Sequence, residues 1–379
     1  MSFIQNIQPS ICILVFFIII FFVYHVYYKY KPMYEGFSSG INGGGFTEGF
    51  AINLQSKNNA SLNNYELSER GTKGLPYYKN RNDIPTDEKL NDPSAPVFLN
   101  ESKVENSGPT LEDIDKKMEV GDFIFNNTKN LWTKFYCSIY DSLMLDNTKN
   151  KYEINEIIES TNANKNSKFL DIGSGTGHHV SMLKKRGFEA IGMDSSIEMV
   201  NRAKINHPGL PFYNSDVMNA YQFKEQEFTH ALMLFMTIYY IKDKRAAFYN
   251  VHKWLKPGGF MVLHLVNREK FDPRIEASDP LYKVNPQRFA KDRITKSYVK
   301  FNDFQYKGEY IPNGENSKYI ETIKEDDGGK AIRNEHVYYM EKQGDIIGKA
   351  KNAGFKLKGK IHMSICQYPY EYLYVFIKK

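Results

Sequence analysis

From Lys168 to Val266 the chain alternates between short apolar runs and amphipathic stretches. FLDIG, EAIGMD, PFYNSD, FTHALMLF and FMVLHLV read as strands. HHVSMLKKRG, SIEMVNRAKIN and KRAAFYNVHKWL read as helices, the first closed by Gly187 and the last ended by KPGG. Strands that are apolar along their length, each followed by a helix, require a parallel, doubly wound sheet covered on both faces. The order breaks after Val266. ITKSYVKF, DFQYKGEYI, SKYIETIK and RNEHVYYM alternate apolar and polar residues, with PNGEN and EDDGGK as turns, and predict an antiparallel insertion over about 268–340. The helix GDIIGKAKNAGF and the strands KLKGKIHMSI and YEYLYVFIKK follow it. Upstream, Leu131–Leu145 and Lys151–Thr161 carry helical spacing, and the texture of a folded domain begins near Leu111. The folded domain is therefore expected to span 111–379.

The chemistry concentrates in KFLDIGSGTGHHV, where Gly173, Gly175 and Gly177 stand between a strand and a helix. Such a loop admits a nucleotide-like ligand at the strand ends, and glycine lets backbone approach it closely. A dinucleotide fingerprint would read G-x-G-x-x-G. Here the spacing is G-x-G-x-G and Asp171 precedes it, which disfavours a phosphate and favours an ammonium or a sulfonium. The next strand ends at Asp194, 17 residues after Gly177, placed to accept from ribose hydroxyls. The third ends at Asp216, which can accept from an adenine amine. Acids for an amine, a ribose and a base together describe S-adenosylmethionine.

LDIGSGTG, IGMDSSIEM, NSDVMN and WLKPGGFMVLHLV, in that order, resemble the class I S-adenosylmethionine-dependent methyltransferases of the broad type 11 group. AGFKLKG and YVFIKK resemble that family's closing helix and strand pair. The resemblance implies a Rossmann-like α/β fold whose seven-stranded sheet has its last strand antiparallel, with S-adenosylmethionine as cofactor. It assigns Asp171 to the methionine amino group and the backbone of Gly173, Ser174, Gly175 and Gly177 to the methionine part. Asp194 would take the ribose, with Ser196 and Met199 beside the adenosine. Asp216 and Val217 would meet the adenine, and Phe235 and Met236 would border the methyl-transfer site. Ser174 departs from the cysteine many members carry, but it is small and polar.

Methyl transfer depends mainly on holding the acceptor in line with an already activated methyl group, and a base helps where the acceptor must lose a proton. Tyr239, Tyr240 and His264 are the candidate catalytic residues, with His178 and Asn267 as further candidate bases. An Asn-Pro-Pro-Tyr-like tetrapeptide and a Pro-Cys nucleophile are both missing. No metal-ligand spacing appears, and Cys12, Cys137 and Cys366 stand too far apart for a disulfide framework.

Residues Ile11 to Val23 read ICILVFFIIIFFV, followed by Tyr24, Tyr27 and Tyr28 and then Lys29 and Lys31. The span 11–28 is expected to cross a bilayer as an uncleaved anchor, after a short tail of residues 1–10. Charge only on its C-terminal side predicts a single-pass membrane protein with a cytosolic catalytic domain. Residues 29–110, rich in Gly, Ser and Asn, are expected to form a flexible linker. The net charge of +6 is spread along the chain and argues for a solvated basic exterior rather than a nucleic-acid surface. The composite expectation is a membrane-tethered methyltransferase acting on a small-molecule or protein acceptor, with no signature of a particular oligomeric state. The competing reading is a non-catalytic S-adenosylmethionine-binding scaffold. A glycine loop and three acids kept together argue against it.

Overall fold

The computed structural model describes residues 50–53, 111–128, 130–278, 287, 290–326 and 331–379. In chain order, strand β1 (Phe50–Asn53) precedes helix α1 (Leu111–Glu119), strand β2 (Phe123–Asn126) and helices α2 (Lys134–Met144) and α3 (Asn147–Thr161). The alternating unit runs β3 (Lys168–Ile172), α4 (His178–Lys185), β4 (Glu189–Asp194), α5 (Ile197–Asn206), β5 (Phe212–Asn214), β6 (Phe228–Met233), the one-turn α6 (Thr237–Tyr240), α7 (Lys244–Trp254) and β7 (Leu255–Val266). Strands β8 (Lys296–Lys300), β9 (Phe304–Ile311), β10 (Asn316–Glu325) and β11 (Ala331–Tyr339) follow. Helix α8 (Gln343–Asn352), β12 (Phe355–His362) and β13 (Glu371–Lys378) close the chain.

The larger sheet has the order β12-β13-β7-β6-β3-β4-β5. Its seven strands are parallel except β13, which runs against both β7 and β12. Alternation sends neighbouring residues to opposite faces. Leu170, Ile172, Met233 and Leu263 enter one apolar cluster, while Phe169, Leu232, Val262 and Leu373 enter the other. Each such fully buried side chain contributes about 1.5–3 kcal/mol relative to exposure, so both faces need their helical cover. The first cluster continues into the smaller sheet through Val299, Tyr306, Ile323 and Tyr338.

That smaller sheet has the order β1-β8-β9-β10-β11-β2. The expected meander supplies its four central strands, all antiparallel neighbours. Its edges come from upstream, because β1 and β2 pair in parallel with β8 and β11. Phe50–Asn53 thus takes a place in a sheet from within the stretch expected to be linker. Helix α1 stops at Glu119. Gly121 adopts φ 121°, and Phe123–Asn126 then joins β11. Capping shifts two more boundaries. Thr133 Oγ1 accepts from the Tyr136 amide at 3.2 Å, so α2 starts after Thr133 rather than at Leu131. Asp146 Oδ1 accepts from the Thr148 and Lys149 amides at 2.7 and 3.0 Å, so α3 starts before Lys151.

The predicted anchor, residues 11–28, lies outside the described residues. Among the described residues no helix is long and apolar enough to cross a membrane.

Candidate active site

A cavity of about 790 Å³ opens between the C-terminal ends of β3, β4 and β6 and the face of β10 and β11. One end is built by the glycine loop. Gly173 adopts φ 69°, and a Cβ there would lie 2.6 Å from Thr237 at the start of α6. Gly175 adopts φ 52° and donates its amide to Asp194 Oδ2 at 2.9 Å. The Gly173 and Ser174 amides both reach Met193 O, at 2.8 and 3.0 Å. The loop is thereby stitched to the end of β4. Helix α2 clamps it from outside, where Asp141 accepts from Thr176 Oγ1 at 2.6 Å and lies 3.1 Å from His178 Nε2.

Asp171 sits at the end of β3, almost fully buried, and its Oδ2 has no partner within the protein. Burial pushes its carboxyl up to about 6, against the pull of His179. A buried carboxylate oxygen without a partner costs stability unless a cation or donor meets it. Ser174 Oγ, also buried, is likewise without a partner. Asp194 Oδ1 accepts from the Ser196 amide at 2.9 Å. Burial raises its carboxyl, opposed by the Ser196 and Gly175 amides. Helix α5 is capped by Ser196 itself, whose Oγ accepts from the Met199 amide at 3.2 Å. Asp216 Oδ1 accepts from the Met218 amide at 2.9 Å, which turns the chain after β5 so that Asp216 and Val217 both border the cavity. Phe235, held at φ 51°, and Met236 form the floor after β6. All twelve residues predicted around the cofactor except Gly177 line this one cavity. Gly177, at φ 89°, packs instead against Phe212, where a Cβ would lie at 2.5 Å.

The three candidate catalytic residues separate. Tyr240 lines the cavity; Tyr239 and His264 do not. Tyr239, on the same turn, points the other way, and its hydroxyl accepts from the Val266 amide at 2.8 Å. His264 is fully buried in β7. It donates from Nδ1 to Phe235 O at 2.8 Å, with Nε2 3.0 Å from Glu371, and so holds the floor rather than touching what lies on it. Of the further candidates, His178 borders the cavity and Asn267 does not; its amide donates to Tyr370 O.

Sequence reasoning missed the opposite wall. Trp132, just before α2, and Tyr136 and Tyr140 on it meet Tyr319, His336 and Tyr338 from the second sheet. Trp132 lies 5.8 Å from Tyr240 and 5.9 Å from His336 between ring centroids. The signal was the density of aromatics in LWTKFYCSIY and HVYYM, which reads equally well as core.

A family described as a methyltransferase domain matches residues 147–357, more than half of the chain. The chain belongs to the methyltransferase-domain family. A solved methyltransferase shares its fold, and others align more loosely. An S-adenosylmethionine-dependent methyltransferase from Clostridium acetobutylicum aligns with a TM-score of 0.50 at 18% identity, over 64% of this chain and 98% of its own. The CcbJ methyltransferase from Streptomyces caelestis gives 0.49 at 15%, over 66% and 98%. CalS10, an amino pentose methyltransferase from Micromonospora echinaspora solved with S-adenosylmethionine bound, gives 0.45 at 16%, over 73% and 100%. A search of curated protein sequences returns no match. This methyltransferase uses S-adenosylmethionine, and the cavity suits that cofactor. It offers an unpartnered buried carboxylate for a cationic group, glycine backbone free of side chains, and further carboxylates at two strand ends.

Proposed function

We propose that this methyltransferase transfers a methyl group from S-adenosylmethionine to a small-molecule acceptor held against the aromatic wall. The observation that carries this reading is the continuity of one cavity from Asp171 Oδ2 to Tyr240 and His336. When bound, S-adenosylmethionine supplies a methyl group already activated by a sulfonium. The protein's part is to bind and orient. Asp171 answers the positive charge of the methionine end, and the glycine loop leaves room for it. Asp194 takes the ribose hydroxyls with lone pairs not used by the Gly175 and Ser196 amides. Asp216 and Val217 border the adenine. His264 fixes the Phe235 carbonyl, and with it the floor beneath the transferring methyl.

The acceptor region is walled by rings and sits between two sheets, which favours a small molecule over a protein side chain. The test is turnover. Full-length protein mixed with S-adenosylmethionine and pools of small metabolites should release S-adenosylhomocysteine with some pools. Tight cofactor binding without release in any pool, or with protein substrates, would favour the scaffold reading instead.

Residues 11–28 are further proposed to anchor the chain in a membrane with the catalytic domain in the cytosol, on the strength of the apolar run and the lysines that follow it. Carbonate extraction tests the anchor. Asn59 and Asn100 stand in N-x-S/T patterns and would report the orientation by staying unglycosylated in a eukaryotic host. Asn126 carries the same pattern but is no reporter, because its side chain is buried against Asn334.

A further inference from the structure

The wall opposite the glycine loop holds a chain of hydrogen bonds that cofactor binding does not require. Glu321, on β10, is fully buried. Its Oε1 accepts from the hydroxyls of Tyr136 and Tyr306, each at 2.8 Å. Its Oε2 accepts from Asn334 Nδ2 at 3.1 Å and lies 2.9 Å from His336 Nε2. Burial pushes this carboxyl up, but its contact with His336 and the hydrogen bonds from Asn334 and Tyr306 outweigh it and hold the group below the usual carboxylate range. A carboxylate in that setting can only accept, so His336 Nε2 carries the hydrogen, and in the neutral ring Nδ1 is left to accept. Tyr240 Oη lies 2.6 Å from Nδ1, far nearer than the Tyr338 hydroxyl at 3.5 Å, and with the ring neutral it donates to Nδ1. Tyr240 and His336 border the cavity, while Glu321 stands one layer behind.

A buried charge of this kind is a poor way to stabilise a fold, since apolar residues of like size do as well or better. Its position suggests chemistry instead. The wall in front of it is aromatic: Trp132, Tyr136, Tyr140, Tyr240 and Tyr338 all border the cavity. Ring faces attract cations, the more so when desolvated. The lysines bordering the cavity lie elsewhere, Lys149 over Phe235 and Lys242 toward Tyr339.

We propose that this wall receives the methyl acceptor as an alkylammonium ion and that Tyr240, backed by His336 and Glu321, takes its proton so that the nitrogen can be methylated. This rests on the methyltransferase reading given above. The ammonium proton passes to Tyr240 Oη as the Tyr240 hydroxyl proton passes to His336 Nδ1, and the resulting imidazolium is held by the Glu321 carboxylate. The freed nitrogen lone pair forms the bond to the methyl carbon, and the electron pair of the broken carbon–sulfur bond stays on sulfur. Tyr240 is the catalytic residue of this step; His336 and Glu321 act through it. The titratable groups facing His336 are Glu321 and Tyr319 on β10, Tyr338 on β11, Tyr136 on α2 and Tyr240 on α6. Burial pushes all four tyrosine hydroxyls up, so they stay protonated, and Glu321 supplies the charge.

Two measurements on the full-length protein saturated with S-adenosylhomocysteine test this. Trp132 borders the cavity, whereas Trp254, the other tryptophan, is fully buried elsewhere, so fluorescence follows the wall. Benzyltrimethylammonium should bind at least about tenfold more tightly than its neutral isostere neopentylbenzene, and Glu321→Gln should erase most of that preference. Equal affinities in the wild type overturn the ammonium assignment. Nitrogen-15 histidine spectra, assigned with His336→Asn, should show His336 at pH 8 with hydrogen on Nε2 and none on Nδ1. Hydrogen on Nδ1 at pH 8 overturns the relay. Should Glu321→Gln fail to fold, Tyr240→Phe keeps the ring and the carboxylate and must still shift the Nδ1 resonance; an unchanged resonance overturns the relay too. A protein that binds no S-adenosylhomocysteine strikes the methyltransferase reading itself, so the two failures are distinct.

Discussion

The Gly175 amide donates to Asp194 Oδ2 at 2.9 Å, tying the glycine loop after β3 to the tip of β4. One carboxylate thus shapes the loop and, in the proposed assignment, offers the ribose seat through its remaining lone pairs. Asp194→Ala should lose both roles and weaken S-adenosylmethionine binding by about 1–3 kcal/mol. Asp194→Asn, which keeps one accepting oxygen, should fall between. Calorimetry on folded variants checks this, and unchanged affinity in Asp194→Ala removes the ribose assignment.

Gly173 is a loop position with little tolerance. A Cβ there meets the Thr237 side chain at 2.6 Å, and φ 69° is unfavourable for any other residue. Gly173→Ala should cost about 1–3 kcal/mol of stability and lower Tm. Adding Thr237→Ala removes both the methyl and the hydroxyl contact at 2.6 Å but leaves the backbone strain, so rescue should be partial. Full rescue in a thermal melt would mean that the backbone conformation is not strained.

Asp171 should make cofactor binding depend on pH. Its carboxyl is raised to about 6 in the folded protein from an ordinary 3.8, chiefly by burial. Since the folded value is the higher, its contribution to stability is complete below about 4 and is lost as pH rises through about 6, a change of about 3 kcal/mol. A positively charged ligand prefers the ionised form. Affinity for S-adenosylmethionine should therefore rise with pH up to about 6 and then level off. At pH 5.5 binding should release most of one proton, read by calorimetry in buffers of different ionisation heat. Asp171→Asn should show neither the loss of stability nor the proton release.

Tyr239 and Tyr240 are neighbours with opposite duties. Tyr239→Phe leaves the buried Val266 amide without its acceptor and should cost about 1–3 kcal/mol of stability. It should leave the affinity for S-adenosylmethionine unchanged, because Tyr239 does not border the cavity. Denaturant melts paired with calorimetry separate the two effects.

The cofactor end was legible because its parts are local. In a parallel sheet the strand ends converge, so Asp171, Asp194 and Asp216 could be placed from the order of runs in the sequence alone. The acceptor wall was not legible, because it joins Trp132 and Tyr136 to Tyr319 and His336 nearly 200 residues away, across two sheets. Glu321 was hidden differently. In SKYIETIK it occupies an alternating strand, where a glutamate reads as solvent-facing, yet Tyr136 from α2 and Tyr306 from β9 close over it. Tyr239 and Tyr240 could not be told apart, since one helical turn decides which faces the cavity. The edges of the smaller sheet escaped for a related reason: β1 and β2 are too short to declare themselves without β8 and β11 beside them.

The most direct test of the central claim is titration of S-adenosylmethionine into the full-length protein, followed by the same titration with Asp171→Asn. Saturable one-site binding in the wild type, weakened by at least about tenfold in the variant with its fold intact, is the predicted result. Absence of binding, or equal binding by both proteins, would contradict the assignment of this cavity to the methyl donor.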